Sequence, residues 1–167
     1  TKFTDIVQEA ESHAAENDTP SESRQIGVAV PRYHRARLLG QRPVAELAAR
    51  YLREASERLR PGSYKSVRFG LELLVSHVGE AQARDLSQAL GREVLGYISK
   101  LSPNVRKYSA AKGASLADLA ALSEESEATT LKPQTQARIW GQLQHFLDWC
   151  AQSGELETNP WEGLTVK

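Results

Sequence analysis

Lys132, Thr135, Arg138 and Gln142 recur three or four residues apart, so on a helix they share one face. Ser63, Lys65 and Arg68 form an earlier set, with positions 65 and 68 again on a common face. Cations and hydroxyls grouped in this way suit phosphate oxygens. Plainer roles fit the same residues: Ser63 and Thr135 as helix caps beside a proline, Arg68 and Arg138 as a solvated helix face. Arg106, Lys107, Tyr108 and Lys112 make a second basic group with an aromatic among the cations. It reads as a patch embracing a polyanion backbone or as an ordinary basic loop.

Other chemistries find little in the chain. The four histidines, His13, His34, His77 and His145, are widely separated, and there is no His-x-x-x-His or Cys-x-x-Cys pair, so no metal site is expected. No glycine-rich phosphate loop occurs, and no nucleophile is set on a sharp turn. Glu124, Glu125 and Glu127 read as a solvated acidic loop. The single cysteine, Cys150, lies on an apolar stripe, where it behaves as a small hydrophobe. One cysteine allows no intramolecular disulfide, which suits a reducing cytoplasm. No cofactor and no small-molecule substrate is expected. No apolar stretch approaches bilayer length and no secretory signal is evident, so no membrane is expected among the partners.

Over 167 residues the formal net charge is zero, which at first argues against a polyanionic partner. Its distribution argues the other way. Residues 1–23 carry one Lys and six acids, net −5; residues 24–77 carry eleven Lys or Arg against four acids, net +7. Residues 78–118 add +2 and residues 119–167 add −4. A basic centre between acidic ends is the asymmetry a polyanion would select, although a solvated Arg-rich surface has the same composition.

The elements that must hold these side chains are helical. Pro133 suits a first helical turn, where a missing N–H costs nothing. The stripe Trp140, Leu143, Phe146, Leu147, Cys150 has helical spacing, and Gly154 suits the left-handed position just past a helix end. This predicts a helix over 133–153. Leu47, Tyr51, Leu52 and Ala55 predict a first helix from Pro43 to about Leu59. Pro61 opens a second, burying Val67, Leu71, Leu74 and Val78 and ending at Gly79. A third is expected from about Gly91 to Leu101, burying Val94, Leu95, Ile98 and Leu101, with Pro103 as its stop. Ser115 and Asp118 have capping-box spacing and start a short helix to about Ser123. Ahead of these, Phe3, Ile6, Val7 and Ala10 form one side of a short helix candidate over 3–16. Residues 17–23 read as a linker, and residues 24–42 as a basic connector or simply a tail. The fold class is all-α: four main helices plus short ones, with a helical N-terminal arm. The expected division is an arm over 1–42, a helical domain over 43–164 and a linker start over 165–167.

Order and spacing carry a resemblance. The Pro-x-Thr start at 133–135, the Phe-Leu-x-Trp-Cys run, Gly154 and Asn159-Pro160-Trp161 resemble the last helix of the core-binding domain of tyrosine recombinases, the phage-integrase type. Residues 61–79 are similar to that family's other signature helix, and Ala83-Arg84-Asp85-Leu86-Ser87 to the link that follows it. The resemblance spans about residues 43–164. Departures are Val67, where the family often has an aromatic, and a longer insertion at 104–131.

The resemblance implies a SAM-like helical bundle that grips duplex DNA at a recombination core site. It implies that the second and last helices present their N-terminal ends to a major groove. The matching positions are Ser63, Lys65 and Arg68 on one helix and Lys132, Thr135, Arg138 and Gln142 on the other. Of these, Ser63, Lys132 and Thr135 would bind phosphate, and Arg138 and Gln142 would reach base edges. The separate basic group at Arg106 and Lys107 could embrace the backbone beside the site. Other recombinase protomers on the same DNA would be partners, in the cytoplasm or on a nucleoid. The family's catalytic tyrosine, Arg, Lys and His belong to a separate C-terminal domain, and no tyrosine here sits in a matching context. The chain is therefore expected to bind DNA without cutting it, as a piece of a longer enzyme. Two other readings stand beside this one: a helical protein–protein adaptor, and a DNA-binding regulator with no catalytic domain.

Overall fold

The computed structural model describes residues 39–104, 113–126 and 129–167. Five helices form in it: α1 (Val44–Arg58), α2 (Pro61–Val78), α3 (Gln88–Lys100), α4 (Leu116–Glu125) and α5 (Pro133–Gln152), with a 3-10 turn at Ala83–Asp85. The all-α expectation holds. Among the described residues the only extended pairing is an isolated bridge between Pro43 and Gln82. The arm candidate at 3–16, the connector through residue 38, and Arg106 and Lys107 lie outside the described residues.

The apolar stripes pack as their spacing requires. Leu47, Leu52 and Ala55 of α1, Leu71 and Leu74 of α2, Val94 and Ile98 of α3, and Leu143, Phe146 and Leu147 of α5 are buried in one core. Burying each such Leu, Val or Phe contributes about 1.5–3 kcal/mol. Val78 and Leu95, expected inside, are only partly covered at its edge. Helix α2 is central and packs against α1, α4 and α5, while α3 lies against α4 and α5. Tyr51 sets its ring edge-on to Phe146 and to Trp149, each at 5.5 Å, which locks α1 to α5.

Three local outcomes differ from the sequence reading. Helix α3 starts at Gln88, ahead of the expected Gly91, because the Ser87 hydroxyl accepts the Leu90 N–H at 3.2 Å and caps it. Helix α4 runs on through Glu125, so Glu124 and Glu125 are helical and not part of a loop. Its capping box forms as expected from Ser115 and Asp118. The folded body also includes residues ahead of Pro43. Gly40 N–H donates to the Glu155 carbonyl at 2.8 Å, Arg84 N–H donates back to the Gly40 carbonyl at 2.9 Å, and Arg42 pairs with the Glu155 carboxylate at 3.3 Å.

The chain after α5 turns back and is pinned by Trp161, which is fully buried. Its indole stacks on Trp140 with centroids 5.3 Å apart and donates to the Ser87 carbonyl at 2.9 Å. Asn159 shapes the turn: its Oδ1 accepts the Trp161 N–H at 2.9 Å, and its amide donates to Gln144 at 2.6 Å and Asp148 at 2.9 Å. Gly91 of α3 makes room for this plug. A Cβ there would lie 2.8 Å from the Trp161 ring and 2.7 Å from Leu164. Gly91→Ala is therefore expected to lower the unfolding free energy by about 1–3 kcal/mol through overpacking, read from the denaturant midpoint at unchanged slope.

Cys150 sits in the core at 1% exposure. Burial pushes its thiol up to about 12 from an ordinary 9.0, with the Glu155 carboxylate adding to the rise. Only the thiolate reacts quickly, so native Cys150 should resist a disulfide reagent at pH 8 and react at once in denaturant. The unfolded chain releases this proton first, so the thiol's contribution to stability is full below pH 9 and falls as pH rises from about 9 towards 12. Native-state labelling as fast as in denaturant would contradict the burial.

Candidate nucleic-acid interface

Helices α2 and α5 begin alike. Arg60-Pro61-Gly62-Ser63 opens one and Lys132-Pro133-Gln134-Thr135 opens the other: a basic residue, a proline and, two residues on, a hydroxyl. In both, the residue before the proline is extended and makes no side-chain cap. By contrast, α3 and α4 are capped by Ser87 and Ser115. The first-turn N–H groups of α2 and α5 thus have no side-chain cap at the positive ends of their helix dipoles. Ser63 and Thr135 stand at the third helical position in place of the cap. Neither hydroxyl is hydrogen-bonded to another of the described residues.

The two starts lie on either side of a groove of about 430 Å³. From α2 come Lys65, Ser66 and Phe69; from α5 come Thr135, Arg138 and Ile139; Leu101, Ser102, Pro103 and Leu131 close the end. Its floor is apolar and its charged lining is cationic, with no carboxylate among the described lining residues. The groove's shape depends on fixed ends. Leu131 N–H donates to the Leu101 carbonyl at 2.8 Å, and Gln136 Nε2 donates to the Leu131 carbonyl at 2.8 Å. Ser102 N–H donates to the buried Ser123 hydroxyl at 3.0 Å, tying the segment after α3 to α4.

The sequence-predicted residues divide. Ser63, Lys65, Lys132 and Arg138 are exposed and Thr135 is half-exposed, all at the two helix starts. Lys65, Thr135 and Arg138 line the groove together. Arg68 is half-exposed and turned along its own helix, pairing with Glu72 at 3.0 Å. Gln142, expected to reach a base edge, is turned into the seam between α2 and α5. Its Nε2 donates to the Ser66 hydroxyl at 2.9 Å, and its Oε1 is buried with no partner. Arg106 and Lys107 lie outside the described residues. Trp140 is core, and Trp149 packs at the α1–α5 contact, donating to Glu54 at 2.8 Å beneath the Arg50 guanidinium.

Sequence reasoning missed Arg60 and the apolar floor. Arg60-Pro61 mirrors Lys132-Pro133, a signal that was available. The floor of Phe69, Leu101 and Leu131 comes from three separate segments and had no local signal. Among the described residues no three His, Cys, Asp or Glu side chains gather as a metal ion would require, and no helix is long and apolar enough to cross a membrane. No family model, curated protein or solved structure matches the chain.

The Ser66–Gln142 bond sets the floor between the helix starts, and deleting one partner strands the other. Ser66→Ala is expected to cost about 1–3 kcal/mol, and Ser66→Ala with Gln142→Leu less than the sum of the two single changes. Strict additivity in denaturant unfolding would place the Gln142 side chain elsewhere.

Proposed function

We propose that the chain binds double-stranded DNA through the N-terminal ends of α2 and α5, as the DNA-gripping domain of a site-specific tyrosine recombinase. The observation that carries this reading is the pair of matched helix starts flanking one cationic groove. Free N–H groups at a helix start bind phosphate directly, and the dipole favours the negative charge. Arg60 and Lys132 extend each start by one cation, and Ser63 and Thr135 add a hydroxyl donor one turn in. These contacts set register and carry no sequence information. Arg138, a turn deeper on an exposed face, is the side chain suited to a guanine edge. Gln142 is committed to Ser66, so base reading on α5 rests on Arg138. The recombinase part of the reading rests on the order and spacing of the sequence motifs, and neighbouring protomers on one DNA belong to that part.

The adaptor reading has one observation in its favour, the apolar groove floor, and salt separates the two. Duplex affinity should fall log-linearly with salt, with a slope of about −3 to −4 if the four exposed cations Arg60, Lys65, Lys132 and Arg138 each neutralise a phosphate. Arg138→Ala should weaken a preferred duplex by about 1–3 kcal/mol and flatten base preference. Lys132→Ala should weaken all duplexes about equally and lower the slope by about 1. An Arg138→Ala chain that binds every duplex as the parent does would overturn the groove assignment.

A further inference from the structure

Among the described residues one buried side-chain polar atom has no hydrogen-bond partner, Oε1 of Gln142. The buried polar residues are otherwise paired. Gln136 donates to the Leu131 carbonyl, and the Ser102 hydroxyl accepts the Asn104 N–H. The Ser123 hydroxyl donates to the Leu119 carbonyl and accepts the Ser102 N–H. A buried bond left unmade costs more than a made one returns, and an apolar pair of the same shape is close to neutral or better. Gln142 donates to Ser66 at 2.9 Å, so this pair makes one bond and forgoes another.

The exception lies in the seam behind the candidate interface. A Cβ on Gly70 would meet Gln142 Oε1 at 3.3 Å, so the α2 backbone and the Gln142 amide lie against each other. The two helices otherwise bury apolar groups, Val67 and Leu71 on α2 and Ile139 and Leu143 on α5. Apolar surfaces attract without direction and tolerate small shifts of one helix against the other. A hydrogen bond has a set length and direction. A polar residue in an apolar helix–helix seam fixes register in this way, at a cost in stability. Ser66 follows Lys65 in the second turn of α2, and Gln142 lies one turn beyond Arg138. Their bond therefore ties together the ends of α2 and α5 that carry the exposed cations.

We infer that Ser66 and Gln142 are positioning residues: their bond holds the starts of α2 and α5 at one spacing, and the fold gives up stability for it. The purpose of that spacing, to meet phosphates at a fixed separation on a duplex, rests on the DNA-binding reading above. Donors held in place beforehand remove an ordering cost from the binding step.

Ser66→Ala with Gln142→Met removes both polar groups and keeps the side-chain length at position 142. Two measurements on the full chain need no DNA: the denaturant midpoint, and the distance distribution between spin labels at Ser63→Cys and Ala137→Cys, both exposed positions. Cys150 is buried and stays unlabelled in the native chain. The double variant should unfold at higher denaturant than the parent, and its label-to-label distribution should be about twofold broader. Ser66→Thr, which keeps the hydroxyl, should keep the parent's narrow distribution. A lower midpoint or a failure to fold makes the pair an ordinary stabilising contact and overturns the inference. A double-variant distribution as narrow as the parent's overturns it too, since packing alone then sets the spacing. Broadening in Ser66→Thr does the same, because the hydroxyl is then not the cause. Duplex titration tests the purpose separately: the double variant should bind about fivefold more weakly or worse, although it is the more stable chain. A broadened distribution with weaker duplex binding supports both readings. A broadened distribution with no duplex binding by either chain supports the positional hold and removes the DNA reading. Parent-level duplex affinity in a broadened variant overturns the positioning role and leaves the DNA reading standing.

Discussion

The structure turns on the close approach of α2 and α5 at Gly70. This residue is buried, and a Cβ there would meet Gln142 Oε1 at 3.3 Å and Ile139 at 3.9 Å. With only hydrogens on that side, two helices come near enough for Ser66 and Gln142 to bond across the seam. The rest of the candidate interface follows from that distance. A wider seam would separate Lys65 from Thr135 and Arg138, and the groove would lose its floor.

The far ends of the same helices are held by other means. Arg42 and Arg50 both reach the Glu155 carboxylate, at 3.3 and 3.0 Å, so the chain leaving α5 is clamped to α1 and to the segment before it. Trp161 then fills the space between α3 and α5. The two buried indoles there satisfy their N–H groups on backbone carbonyls of Ser87 and Leu164, as a buried tryptophan requires. Helix α5 is thus fixed at its start by Leu131 and Gln136 and at its end by this plug. A helix held at both ends can present its first turn in one place.

That arrangement has a local cost. An N-cap side chain stabilises a helix by about 1 kcal/mol, and α2 and α5 do without one while α3 and α4 each have theirs. Proline at the first helical position recovers part of the loss, since its fixed φ suits the turn and its missing N–H would have been unpaired. Three starts lack a side-chain cap, those of α1, α2 and α5, and the last two border the groove. Stability elsewhere, from the apolar core and the Trp161 plug, offsets what those two turns give up.

Much of this was legible in the residues themselves. Helical spacing of Leu, Val and aromatic residues located α1, α2, α3 and α5, because an apolar stripe must be buried whatever covers it, and the capping-box spacing of Ser115 and Asp118 located α4. Proline and glycine marked the ends of α2 and α5 through backbone geometry alone; Gly154, with φ at 78°, is the left-handed residue expected there. The similar openings at Arg60 and Lys132, and the cations that follow them, were also present in the sequence. What tertiary structure decided was which side chains remain available. Gln142 shares a helical face with Arg138, yet one lies in the seam and the other in solvent, since the position of α2 distinguishes them and spacing does not. Glu72 engages Arg68, and three distant segments assemble the groove floor. Periodicity reports which face of a helix is buried, whereas a site depends on which neighbours arrive there, and those neighbours are brought together only by the packed fold.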